Sequence, residues 1–210
     1  MKHAKRHPLI FGTIILTATG LITRVIGFFY RIYLSRLFGE EGMGIYQLLS
    51  PALSLSFSLT AAGYQTAISK YVAADSAKRP SGNLKPLLAG TSITLPLSLV
   101  TNAILFFSAD PIGIFLLKDH RTVPMLRILS FSVPFAALHA CINGYFYGKK
   151  KASVPALTQL LEQLARVSCV FLVTGADLAE GRTPSINAAV LGLTVGEIFS
   201  MQIDLVCQYI

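Results

Sequence analysis

The chain has 210 residues, of which 53% are hydrophobic and only 13% charged, and its mean hydropathy is +0.60. Soluble domains carry roughly 25% charged residues, so a water-exposed fold of this size would lack the surface to cover itself. The net charge of +8 does not mark a nucleic-acid binder, because the basic residues fall in short segments between apolar blocks.

Six apolar blocks reach the ~20 residues that a helix needs to cross a bilayer. They run from about residue 9 to 34, 42 to 69, 86 to 109, 123 to 147, 154 to 174 and 186 to 210. The predicted fold class is therefore all-α, a polytopic membrane bundle of six transmembrane helices. Lys2, Lys5 and Arg6 ahead of the first block look like the charged region of a signal peptide. The apolar pattern continues to Leu34, however, and no A-x-A site follows at the usual place, so a retained first helix is expected.

The loops orient the bundle. With the N-terminus in the cytoplasm, the inner segments hold Lys2, Lys5 and Arg6, then Lys70, Lys78, Arg79 and Lys85, then Lys149, Lys150 and Lys151. The outer segments hold Arg36, Lys118, Arg121 and Arg182. Ten basic residues against four is a positive-inside pattern and places the chain in the cytoplasmic membrane with its N-terminus inside. Residues 111–121 read either as a half-buried interfacial helix or as an ordinary outer loop. Gly144 with Gly148 and Gly192 with Gly196 have the spacing that permits close helix packing, although glycine is common in membrane helices. Cys141, Cys169 and Cys207 each stand alone, which gives neither a disulfide framework nor a zinc site.

Seven ionisable residues fall within the spans: Arg24, Arg31, Arg127, Glu162, Arg166, Glu197 and Asp204. Each Arg or Asp at a helix centre costs about 2.5–3.5 kcal/mol to insert, and such residues usually face a bundle interior or an aqueous path. Arg24 lies near mid-membrane, and its planar fork suits a phosphate or carboxylate; the competing reading is a structural arginine paired with a neighbouring acid or carbonyl. Arg31 follows seven residues later, on a similar face. It and Arg127 lie nearer the outer interface, where side chains snorkel. Glu162 and Arg166 have the i, i+4 spacing of an intrahelical pair. Glu197 and Asp204, seven apart on the sixth span, are candidates for proton or cation coupling, Glu197 together with Glu162 and Arg166; the competing reading of Asp204 places it close to the inner interface. No catalytic or metal-binding constellation is visible. His3 and His7 lie in the tail, His120 in an outer loop, and His139 stands alone in the fourth span. The chain is not expected to be an enzyme, and no cofactor is expected.

Thr23-Arg24-Val25-Ile26-Gly27-Phe28, with Ser35-Arg36-Leu37-Phe38-Gly39-Glu40-Glu41-Gly42, resembles the first helix and following loop of polysaccharide-type flippases. These belong to the multidrug/oligosaccharidyl-lipid/polysaccharide exporter superfamily. Ala67-Ile68-Ser69-Lys70, Gly144-Tyr145-Phe146-Tyr147-Gly148-Lys149 and Gln159-Leu160-Leu161-Glu162-Gln163-Leu164-Ala165-Arg166 are similar to its stage V sporulation protein B branch. The resemblance implies a carrier that moves lipid-linked cell-wall precursors across the membrane by alternating access between two six-helix lobes. It also implies that Arg24, with Thr23 in place of a serine, meets the diphosphate of a lipid-linked saccharide within a central cavity. Tyr30 and Arg31 stand where related lipid II flippases carry an arginine–aspartate pair. Arg31 therefore does not inherit that arginine's role, and is a candidate by its place on the helix. The chain ends about where the first lobe ends, so the expectation is one lobe without its second, completed by a missing partner or a second copy, or else a truncated fragment. A cation-coupled drug exporter from the same superfamily is the alternative reading.

Overall fold

A computed structural model of the chain describes residues 8–78 and 84–209, and its regular elements are helices. Lys2, Lys5, Arg6 and Arg79 lie outside the described residues, as does the side chain of Lys78. The first helix, α1, runs Pro8–Gln47 and is broken at Gly39, where φ is 69° and ψ −176°. That combination is open essentially only to glycine. Arg24 sits midway between Pro8 and the break.

The second apolar block does not begin at residue 42. Residues 40–47 belong to the far piece of α1, where Met43 packs with Tyr30 and Leu34 while Ile45 packs beside Met125 and Leu126. Hydropathy alone cannot separate such a packed segment from the start of a span. The block instead comprises α2 (Ser50–Phe57), a π-turn (Ser58–Ala62) and α3 (Gly63–Lys78), which follow one another without a loop. Then come α4 (Lys85–Phe107), the short α5 (Ala109–Pro111) with a second π-turn (Ile112–Leu116), α6 (Thr122–Gly148), α7 (Ser153–Ala179) and α8 (Asn187–Tyr209). Among the described residues, five helices are individually long and apolar enough to cross a membrane. The run α2–α3 is a sixth helical stretch, interrupted by its π-turn.

Contact register fixes the directions of these rods. Gly12 abuts Ala152 and Gly27 abuts Gln163, so α1 and α7 run parallel. Gly144 approaches Gln65, and Gly148 approaches Ser69, so α3 and α6 are also parallel. Gly192 faces Val170 while Gly196 faces Glu162, which makes α7 and α8 antiparallel. An up-and-down bundle in which α2–α3 crosses as one unit gives these three relations. The end with residues 40–47, 109–121 and 180–186 is termed distal; the end with Lys149, Lys150 and Lys151 is proximal.

Both glycine spacings turn out to be contact points. A Cβ at Gly144 would lie 2.5 Å from the Gln65 carbonyl oxygen, and one at Gly148 would lie 2.7 Å from that of Ser69. At Gly192 it would come within 2.4 Å of Val170 Cγ2. Lipid offers no hydrophobic drive to associate, so close backbone approach through small residues is what holds such rods together. Helix α6 is the hub, packed on α3, α4 and α8, and buries Met125, Leu126, Leu129, Ala137 and Cys141. Helix α1 is peripheral: it packs on α7, touches α8, and leaves Ile22, Phe28 and Phe29 exposed.

At the distal end, residues 109–116 are helical with Phe115 and Leu116 exposed, the half-buried arrangement and not an ordinary loop. Arg121 Nη2 lies 2.6 Å from Glu41 Oε1 and thereby ties the far piece of α1 to the start of α6. The Arg121 backbone N–H, 2.9 Å from Asp119 Oδ1, holds that carboxyl below the usual carboxylate range, with the guanidinium adding to the effect. Arg127 pairs with Asp110 at 2.6 Å and lies 5.8 Å over the Phe106 ring.

Candidate functional site

Thr23, Gly27, Arg31 and Leu34 recur at helical spacing along α1 and form one face. With Arg24, Tyr30, Tyr46 and, from α7, Gln163 and Arg166, this face lines a cleft of about 420 Å³. The candidate residues Thr23, Arg24 and Arg31 thus share one concavity, and the cleft gains a third guanidinium from Arg166. Arg24 and Arg31 are exposed. Among the described residues no acid lies within ion-pair distance of either one. The competing reading, a structural arginine paired with a neighbouring acid, thus finds no such acid among the described residues. Thr23 donates its hydroxyl to the Thr19 carbonyl at 2.8 Å, which leaves only its oxygen lone pair for anything in the cleft. The Tyr30 hydroxyl is buried and has no partner.

A second cleft, of about 240 Å³, lies along the same face of α7, nearer the proximal end. Glu162, Glu197, His139, Asn143 and Gln159 line it. The two clefts meet at one ion pair. Arg166 Nη2 donates to Glu162 Oε1, the i, i+4 pair anticipated from spacing, and Nη1 lies 3.4 Å from Gln163 Oε1. Arg166 Nε is buried without an acceptor. Glu197 comes from α8, one helical turn from Ser200, and shares the second cleft with Glu162 without pairing to Arg166.

Behind this cleft the structure corrects one expectation and adds to another. His139 does not stand alone: its Nδ1 is 2.7 Å from Asp204 Oδ2 and 2.9 Å from Ser200 Oγ, and its Nε2 is 2.8 Å from Asn143 Nδ2. Asp204, expected close to the inner interface, is wholly enclosed by the bundle, at 0% exposure. Neither of its oxygens receives a well-aligned hydrogen bond, so the contact with His139 is one of proximity and charge. The two residues are 65 positions apart, and no local pattern announces the pair; only knowledge that α6 and α8 run side by side could have found it.

A larger concavity, about 570 Å³ between α3 and α4, is elsewhere and mostly apolar, with Asp75 and Lys85 among its lining. The convergence of charge argues for the smaller clefts as the functional site.

The helices and the two polar clefts define a multi-pass membrane protein with a charged interior. The polysaccharide biosynthesis protein family matches residues 9–209, and the chain belongs to that family. It is 36% identical to stage V sporulation protein B of Bacillus subtilis over 197 residues, covering 93% of this chain and 38% of that one. It is 27% identical to the lipid II flippase MurJ of the same organism, covering 81% of this chain and 32% of the relative. The uncharacterized membrane protein YabM of B. subtilis is likewise 27% identical, over 78% of this chain. The chain thus spans less than two fifths of the length of these relatives. No solved structure matches it significantly.

Proposed function

We propose that this chain forms one lobe of a flippase for lipid-linked saccharides used in peptidoglycan synthesis during sporulation. The arginine cleft receives the diphosphate head group, the polyprenyl tail stays among membrane lipids, and the sugar crosses through the polar interior. A second lobe, or a second copy, would close the cleft, since alternating access works by rocking one repeat against another. The chemistry is transport, not bond making, and needs no cofactor. Lys149, Lys150 and Lys151 at the proximal end support a cytoplasmic N-terminus in the cell membrane.

The observation that carries this reading is Arg24: a guanidinium midway along α1, open to a cleft and without an anionic partner among the described residues. A permanently charged group at that depth is tolerated beside water or a bound anion. Membership of the polysaccharide biosynthesis protein family and the names of its B. subtilis relatives point the same way.

The test is pyrophosphate binding by the full chain in lipid nanodiscs. Hydrogen bonds to charged groups contribute about 1.5–3 kcal/mol, or roughly 10- to 150-fold in Kd. Arg24→Ala should lose affinity by that factor while keeping its helical circular dichroism. Equal binding by the two proteins would remove the assignment.

A further inference from the structure

We infer that the Glu162–Arg166 pair links anion binding in the arginine cleft to proton uptake in the acidic cleft. This rests on the anion-binding reading above and goes beyond it by assigning the two clefts to one energetic unit.

Arg166 lines the first cleft and Glu162 the second, one turn apart on α7 and directly paired. Four other groups surround Glu162 or stand close behind it. Glu197 comes from α8 and His139 and Tyr147 from α6, all in the same cleft; Asp204 of α8 lies against His139. On the arginine side stand Arg24, Arg31, Tyr30 and Tyr46 of α1. At rest, therefore, one guanidinium neutralises one of two carboxylates that share a small cleft.

Arg166 is also prepared for a second partner. Its Nε is buried and has no acceptor, although Nη2 is engaged by Glu162. Nε with a neighbouring Nη is the edge of the fork that grips a phosphate through two parallel hydrogen bonds. An anion taking that edge divides the guanidinium charge between itself and Glu162. Glu162 and Glu197 then lie near a third anion in a partly buried site, and like charges at close range favour protonation of one of them. One proton moves from bulk water to a carboxylate oxygen; no covalent bond in the anion is made or broken. Linkage is reciprocal, so protonating the acids strengthens anion binding by the same factor.

The experiment compares pyrophosphate affinity between pH 8 and pH 6 for the full chain in phosphatidylcholine nanodiscs, in choline-based buffer. Wild type, Glu162→Gln and Glu197→Gln are measured in parallel, so that the ionisation of pyrophosphate itself is common to all three. One proton bound per anion changes affinity about tenfold per pH unit. The wild-type affinity should rise at least tenfold more than that of Glu162→Gln over this range, with Glu197→Gln also flattened. If one variant fails to fold, the other still decides. Parallel pH profiles for wild type and variants would overturn the linkage and leave the anion site standing. No pyrophosphate binding at any pH would remove the anion site and the linkage together.

Discussion

Glu162 and Arg166 form an ion pair whose acidic end lines one cleft and whose basic end lines another. The arginine-lined cleft and the acidic cleft thus lie in succession along one face of α7.

The three guanidiniums of the first cleft should not be equivalent. Arg24→Lys keeps the charge but loses the fork, so pyrophosphate affinity should fall by several-fold, less than for Arg24→Ala. Arg166→Gln should weaken binding too, and should also lower thermal stability, because it leaves Glu162 half-buried without its partner. Arg31→Ala should weaken binding with little change in stability, since Arg31 is exposed and no acid among the described residues pairs with it. Calorimetric titration and melting of the same four proteins separates these outcomes.

Close helix approach predicts a contrast between glycines. Gly144→Ala places a methyl 2.5 Å from a backbone carbonyl of α3, a contact that flexible side chains cannot relieve. The cost should be about 1–3 kcal/mol in reversible unfolding from detergent micelles. Gly175→Ala, on α7 with nothing within 4 Å of the new Cβ, should be neutral or stabilising by about 0.5–1 kcal/mol.

The glycines also mark how far the sequence could be read. Their four-residue spacing is visible, but not which helix each pair would meet. Apolar runs locate four of the helices to within about five residues, whereas the first continues past residue 34, through the break at Gly39, to Gln47. The second is displaced from residues 42–69 to Ser50–Lys78, because the break at Gly39 and the packing of Met43 and Ile45 are tertiary facts. Arg24 and Arg31 could be placed on one face from their seven-residue separation alone. Arg166 reads as the internal partner of Glu162, and only the packing of α1 on α7 brings it into the arginine cleft. His139 and Asp204 were unreadable as a pair for the same reason: no spacing within α6 or α8 says which of their polar side chains meet.

That buried pair makes its own prediction. Removing one partner of a buried ionic contact leaves the other uncompensated and costs about 3–5 kcal/mol. His139→Leu should destabilise by that order, since Asp204 has no exposure and no aligned hydrogen bond to fall back on. The double variant His139→Leu/Asp204→Leu should recover much of the loss. A double variant no more stable than the single one would show that the contact is incidental.

Gly39 gives a fourth test. Its φ of 69° with ψ of −176° lies outside the range of side-chain-bearing residues, so Gly39→Ala should cost about 1–3 kcal/mol. The far piece of α1, tied to α6 through Glu41 and Arg121, should become more accessible to protease in that variant.

The central claim is that water or an anion reaches Arg24 inside the membrane, and thiol accessibility tests it most directly. In a variant with Cys141, Cys169 and Cys207 replaced, single cysteines at positions 24 and 25 are exposed to a charged, membrane-impermeant methanethiosulfonate in nanodiscs. Both positions are exposed, but Arg24 lines the cleft and Val25 does not. The account predicts modification at 24 at a rate comparable to a cysteine at loop position 150, and almost none at 25. Equal silence at 24 and 25 would contradict it, because residue 24 would then face hydrocarbon with no polar path to it.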